Sequence, residues 1–162
     1  MFPNFFNKNR KQLFLFDMDG VLAEHIPNED VKARNNEQNL YANKRPIKSI
    51  IKIVKEFSNQ KNVTIGILSS CNYQNQYEQK LEWLKKNVPF VNLKYVFIII
   101  WTDELAKGSQ EQKGAEKAKI ILNLTESKIF DDIFLIEDRH EFIKSVNKLI
   151  PNCAHHLSEI LD

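Results

Sequence analysis

Leu13-Phe14-Leu15-Phe16-Asp17-Met18-Asp19-Gly20-Val21-Leu22 is an apolar run of strand length that ends abruptly in two carboxylates one residue apart, then a glycine. A buried strand has no use for aspartate at its end unless that end faces a site. Asp17 and Asp19 flank Met18, so an extended chain points both side chains the same way. Gly20 gives the backbone freedom to turn at once. Two carboxylates this close raise each other's pKa unless a cation sits between them. A hard divalent ion such as Mg²⁺, which prefers oxygen ligands, resolves that conflict. The bland alternative is that Asp17 caps a helix or opens a turn.

The pattern outward from this stretch favours a site. Leu13–Phe16 reads as a first strand. Ile47–Phe57 has apolar residues at helical spacing behind Pro46. Val63–Leu68 is a second strand, ending in Ser69-Ser70. Gln74–Asn87 reads as a helix with Tyr77, Leu81 and Leu84 on one face. Tyr95–Trp101 is a third strand, and Gln110–Leu122 a helix with Ser109 placed to cap it. Ile133–Ile136 is a fourth strand, ending in Glu137-Asp138. Phe142–Leu149 is a short helix stopped by Pro151.

Strands alternating with helices imply parallel βαβ units and a doubly wound, Rossmann-like α/β sheet. In such sheets ligands bind outside the carboxyl ends of the strands. Three apolar strands end in polar residues there: Asp17/Asp19, Ser69/Ser70 and Glu137/Asp138. The least regular segment, Glu24–Arg45, follows the first acidic pair and is rich in asparagine. A long loop in that place reads as a lid, or as a solvated loop without a role.

A chain of 162 residues with 27% charged and 43% hydrophobic residues is expected to form one domain, 1–162. The formal net charge of +2 does not argue for nucleic acid. Residues 1–12 form a small basic leader around Lys8-Asn9-Arg10-Lys11, expected to be solvated. Cys71 and Cys153 have no metal-type spacing and suit a reducing compartment. No apolar run is long enough to span a membrane, and the N-terminal segment lacks a signal-peptide core. The expected location is cytoplasmic; the oligomeric state is left open.

Asp17-Met18-Asp19-Gly20-Val21-Leu22 resembles the first motif, DxDGxL, of the haloacid dehalogenase-like phosphohydrolases. Ile67-Leu68-Ser69-Ser70 resembles their second motif, and Phe134-Leu135-Ile136-Glu137-Asp138-Arg139 their fourth. Tyr77–Lys86 is similar to the segment after the second motif in the 5'(3')-deoxyribonucleotidase group. The resemblance implies that Asp17 is a nucleophile forming an aspartyl-phosphate. It implies that Asp19 is general acid, then general base. Mg²⁺ would join Asp17, the backbone carbonyl of Asp19 and Asp138. Ser69 would bind a phosphoryl oxygen.

A lysine from the start of the helix before the fourth strand would neutralise transition-state charge. Lys107, Lys113, Lys117 and Lys119 lie in that region. Lys113, nearer the helix start, is preferred, with Lys117 the rival; both are carried as phosphate-binding candidates. Glu137 stands where the family commonly has Asp, and is expected as an outer-shell partner acting through water. The resembled nucleotidases carry a helical cap, whereas only Ala23–Pro46 is available here once the following helix is set aside. Hence the expected fold has a minimal cap, the site is partly open, and binding is dominated by phosphate and metal.

His25, His140, His155, His156, Cys71 and Arg139 are weaker candidates, read mostly as surface or core. The expected activity is Mg²⁺-dependent phosphomonoester hydrolysis on a small phosphorylated substrate, nucleoside 5'-monophosphates first. Alternatives are a phosphatase of phosphorylated macromolecular ends or peptides, and a non-catalytic phosphate- or metal-binding module.

Overall fold

The computed structural model describes residues 2–26 and 39–161. Residues 27–38 of the expected lid lie outside the described residues. Five parallel strands form one sheet: β1 (Gln12–Phe16), β2 (Val63–Cys71), β3 (Val96–Ile100), β4 (Asp132–Glu137) and β5 (Ala154–His156), in the order β3-β2-β1-β4-β5. The helices are α1 (Lys48–Ser58), α2 (Gln74–Asn87), α3 (Asp103–Ala106), α4 (Gln110–Glu126) and α5 (His140–Leu149).

β1 is central and wholly buried, so its side chains alternate between two apolar layers and read as a continuous hydrophobic run. Phe14 and Phe16 pack on one face with Ile50, Val54 and Phe57 of α1 and Trp83 and Leu84 of α2. Leu13 and Leu15 pack on the other with Ala118 and Ile121 of α4 and Val146 of α5. This is a doubly wound α/β sheet of Rossmann-like form. The chain progresses outward from β1 to β2 and β3, then crosses back to β4 on the other side of β1. The carboxyl ends of β1 and β4 therefore form the topological switch point, where such sheets bind ligands.

Gln74–Asn87 has the expected bounds, and Ser109 caps α4 by accepting from the backbone N–H of Gln112. Three expectations are corrected. β5, of three residues with two histidines, is too short and polar to show as a strand in the sequence, yet it pairs with Leu135–Glu137. The buried face of α2 is Gln76, Lys80, Trp83 and Leu84, rotated from the expected Tyr77–Leu81–Leu84 stripe. The leader is not simply solvated: Phe5 stacks on His155 and packs against Phe14 and Phe134. Arg10 also makes two 2.7 Å bonds to Asp132 at the start of β4.

Candidate active site

Phe16 pairs with Ile136 across β1 and β4, and the backbone N–H of Asp17 continues the ladder to Ile136 O at 2.9 Å. That register sets Asp17 beside Glu137 at the sheet edge. The chain then turns tightly: Val21, Leu22 and Ala23 all donate to the carbonyl of Met18. Gly20 is left-handed, with φ +79°, and a Cβ there would stand 2.7 Å from Asp138 Cγ. Glycine thus permits both the turn and the close approach of the fourth-strand loop.

Oxygens of Asp17, Glu137 and Asp138 lie within 4.8 Å of one another. Among the described residues, one cation stands within ion-pair distance of this trio. Lys117, fully buried on α4, donates to Glu137 Oε2 at 2.6 Å and stands 3.6 Å from Asp17 Oδ1. Burial, then the like charge of Glu137, pushes the Asp17 carboxyl up to about 6, against the pull of Lys117. Burial works against the Lys117 ammonium, but Asp17 and Glu137 outweigh it and hold its pKa above the ordinary lysine value. Asp138 Oδ1 is buried and has no hydrogen-bond partner. Three clustered carboxylates with one orphaned buried oxygen fit a hard divalent cation.

Asp19 lives in a different environment. Lys44 donates to Oδ1 and Lys80 to Oδ2, both from fully buried side chains. Burial alone would raise the Asp19 carboxyl, but Lys80 and Lys44 overcome it and bring it down to about 2. Lys80 also donates to Ser69 Oγ at 3.1 Å and to the carbonyl of Ser70 at 2.8 Å. It ties the second-strand motif to the first. Desolvation opposes its charge, yet Asp19 and then Asp17 hold its pKa above the ordinary value.

Lys44 comes from the segment after the turn, and that segment is fastened to α2. Trp83 Nε1 donates to the Lys44 carbonyl at 2.7 Å, and Gln79 Oε1 accepts from the Tyr41 N–H at 2.9 Å. The Tyr41 ring lies beneath both ammoniums, 4.6 Å from Lys44 and 5.3 Å from Lys80.

The structure brings Asp17, Asp19 and Ser69 to one cleft of about 100 Å³, with Tyr41, Trp101 and Phe142 among its walls. Asp138 stands against Gly20 at the same edge. Lys113 and Lys117 separate. Lys117 reaches the carboxylates, whereas Lys113 lines the cleft with its ammonium on the carbonyl of Ala106 at 2.9 Å. Of the two lysines carried as phosphate-binding candidates, Lys117 is the one beside Asp17, because it lies on the buried stripe of α4 with Gly114, Ala118 and Ile121. Glu137 joins the acidic cluster directly. Its Oε1 accepts from the backbone N–H groups of Asp138 and Arg139 at 3.1 and 3.3 Å. The Asp19 side chain stands outside that cluster, both its oxygens being taken by lysines.

Cys71 is buried at the cleft, its thiol raised by burial. His25 is exposed, and the His140 ring stacks on His156.

Lys44 and Lys80 were not singled out in the sequence. For Lys80 a signal existed: it sits between Gln76 and Trp83 at helical spacing, a lysine on an otherwise inward face. Lys44 lies in an irregular segment with no periodicity to mark it.

No protein-family model matches the chain, and no curated protein matches it. Among solved structures, one described as a haloacid dehalogenase-like hydrolase from Burkholderia xenovorans LB400 is similar, with a TM-score of 0.56. The match covers 90% of this chain and 80% of that one at 12% identity. The likeness is one of fold.

Proposed function

We propose that the chain is a Mg²⁺-dependent phosphomonoester hydrolase of the haloacid dehalogenase-like type, working through an aspartyl-phosphate on Asp17. The observation that carries this reading is the acidic trio at the switch point, with Asp138 Oδ1 buried and unpartnered beside Asp17. Asp17, Asp138 and Glu137 are the residues that would hold the ion. Bound there, Mg²⁺ offsets the negative charge that otherwise repels a phosphate dianion.

Asp17 attacks phosphorus, the P–O bond to the leaving group breaks, and the leaving oxygen takes a proton. Asp19 is the group for that transfer and for accepting a proton from the water that later attacks the aspartyl-phosphate. Its two lysines keep it ionised in the free protein, which suits the second role. A bound phosphate dianion adds like charge beside it and raises its pKa again for the first. Ser69 donates to a phosphoryl oxygen. Lys117 counters the charge at Asp17, and Lys80 fixes Ser69 and Asp19 relative to each other.

Nucleoside 5'-monophosphates are the first substrates to assay. Both cysteines are free and buried, and no helix among the described residues is long and apolar enough to cross a membrane; both facts support a cytoplasmic reading. The deciding experiment is phosphate release from a phosphomonoester panel with Mg²⁺ or with chelator, for the natural chain and Asp17→Asn. Release that requires Mg²⁺ and Asp17 is expected; equal release by Asp17→Asn excludes the aspartyl-phosphate route.

A further inference from the structure

Three fully buried lysines engage the carboxylates at the cleft. Lys44 and Lys80 hold Asp19, and Lys117 holds Glu137 and Asp17. Two further cations line the same cleft, Lys113 and Arg139, and among the described residues neither has a carboxylate partner. The Lys113 ammonium rests on the Ala106 carbonyl at 2.9 Å, and the Arg139 guanidinium lies 5.6 Å from the centre of the Phe142 ring. They stand at the starts of α4 and α5. Those helices meet closely, for a Cβ on Gly114 would fall 2.6 Å from the Ser145 side chain. The two cations are thus carried by one rigid pair of helices.

The cleft, at about 100 Å³, is well below the roughly 300 Å³ at which pockets begin to enclose a drug-sized ligand. It suits a phosphoryl group and an ion, so the rest of a substrate extends beyond it, and Lys113 and Arg139 are the cations of its lining. A nucleoside monophosphate would lay a neutral sugar against them. An anion would meet a guanidinium able to bind it in a forked, two-bond geometry.

We propose that the cleft takes a phosphomonoester bearing a second phosphate-type anion close to the one presented to Asp17, and that Lys113 and Arg139 hold that second anion. The proposal rests on the phosphatase reading and names the substrate class within it. The second anion has two sources: a small bisphosphorylated molecule, or the first phosphodiester behind the terminal phosphate of a strand.

The test reads binding, so its failure is distinct from a failure of the hydrolytic reading, which turnover decides. Calorimetry is run on Asp17→Asn protein with Mg²⁺, and on the natural chain in chelator. The probes are thymidine 5'-monophosphate, thymidine 3',5'-bisphosphate and the 5'-phosphorylated thymidine dinucleotide. At least one doubly anionic probe is expected to bind tenfold or more tightly than the monophosphate. The tighter of the two identifies the source. Arg139→Gln and, separately, Lys113→Gln are expected to shrink that ratio severalfold. Equal affinity for all three probes, or substitutions that weaken all three alike, would overturn the proposal; the latter would assign both cations to the transferred phosphate itself.

Discussion

Lys117 and Glu137 form an ion pair sealed from solvent: Nζ stands 2.6 Å from Oε2, and both side chains are 0% exposed. The same ammonium lies 3.6 Å from Asp17. One cation therefore answers two carboxylates, and Asp138 is left with an orphaned oxygen. This shortage of positive charge lies where a divalent cation would supply it.

Lys117→Met should expose how much depends on that one ammonium. Removing a single partner of a buried ion pair leaves an uncompensated charge and costs about 3–5 kcal/mol. In a chain of this size each kcal/mol shifts Tm by roughly 2–4 °C, so a fall of about 10 °C is expected. Adding Glu137→Leu should return much of it. Urea unfolding of the single and double variants in chelator checks this, and a double variant no better than the single would show that packing, not charge, is lost.

Asp17 and Asp19 should respond to amidation with opposite signs. Asp17 has a folded pKa raised from 3.8 to about 6. The stability it contributes is full below 3.8 and is lost as pH rises through 6. Its ionised form at pH 7 therefore costs on the order of 3 kcal/mol. Asp19 is depressed from 3.8 to about 2, so its contribution is present above 3.8 and lost as pH falls through 2. In chelator at pH 7.5, Asp17→Asn should be more stable than the natural chain, and the gap should narrow by pH 4.5. Asp19→Asn should be less stable by about 2 kcal/mol. Thermal scans at the two pH values decide it; destabilisation by Asp17→Asn at pH 7.5 would contradict the assignment.

Mg²⁺ should stabilise the natural chain by about 2.7 kcal/mol when present at a hundred times its Kd. Asp138→Asn should abolish most of that gain. Gly20→Ala should do the same indirectly, since the new methyl group meets the Asp138 carboxylate and the backbone is left-handed there. A Tm rise on adding Mg²⁺ that both variants retain would place the ion elsewhere.

The sheet and the switch point were legible in the sequence because β1 and the end of β4 are apolar runs stopped by carboxylates. A carboxylate at the end of a buried strand points to a turn or a site at that edge of the sheet. Contacts made by the third dimension alone are not legible in the sequence. Lys80 looks like one of several lysines on a polar helix until the helix is rotated so that Trp83 faces the core. Lys44 reaches Asp19 from an irregular segment held by hydrogen bonds to α2 and to the chain just after the first motif. The choice between Lys113 and Lys117 turned on which side of α4 packs inward, and two lysines four apart on one helix do not announce that.

Trp83→Phe tests whether that fastening matters to chemistry or only to stability. The indole N–H meets the Lys44 carbonyl at 2.7 Å in a buried contact, and Phe keeps the ring while deleting the donor. Leaving the carbonyl unpaired costs about 1–3 kcal/mol. The same segment is also tied by the Tyr41 N–H to Gln79, so it should remain docked but less tightly held. Lys44 then fixes Asp19 less well, and on the proposed mechanism a loss of positioning appears in kcat while KM changes little. Lys44→Met should lower kcat further than Trp83→Phe, because it removes the ammonium itself, and Lys44→Arg should restore part of the loss. Steady-state kinetics on an aryl phosphate in Mg²⁺ buffer separates the two parameters. A Trp83→Phe protein that is less stable yet keeps its full kcat would show that Lys44 steadies the fold and does not position Asp19.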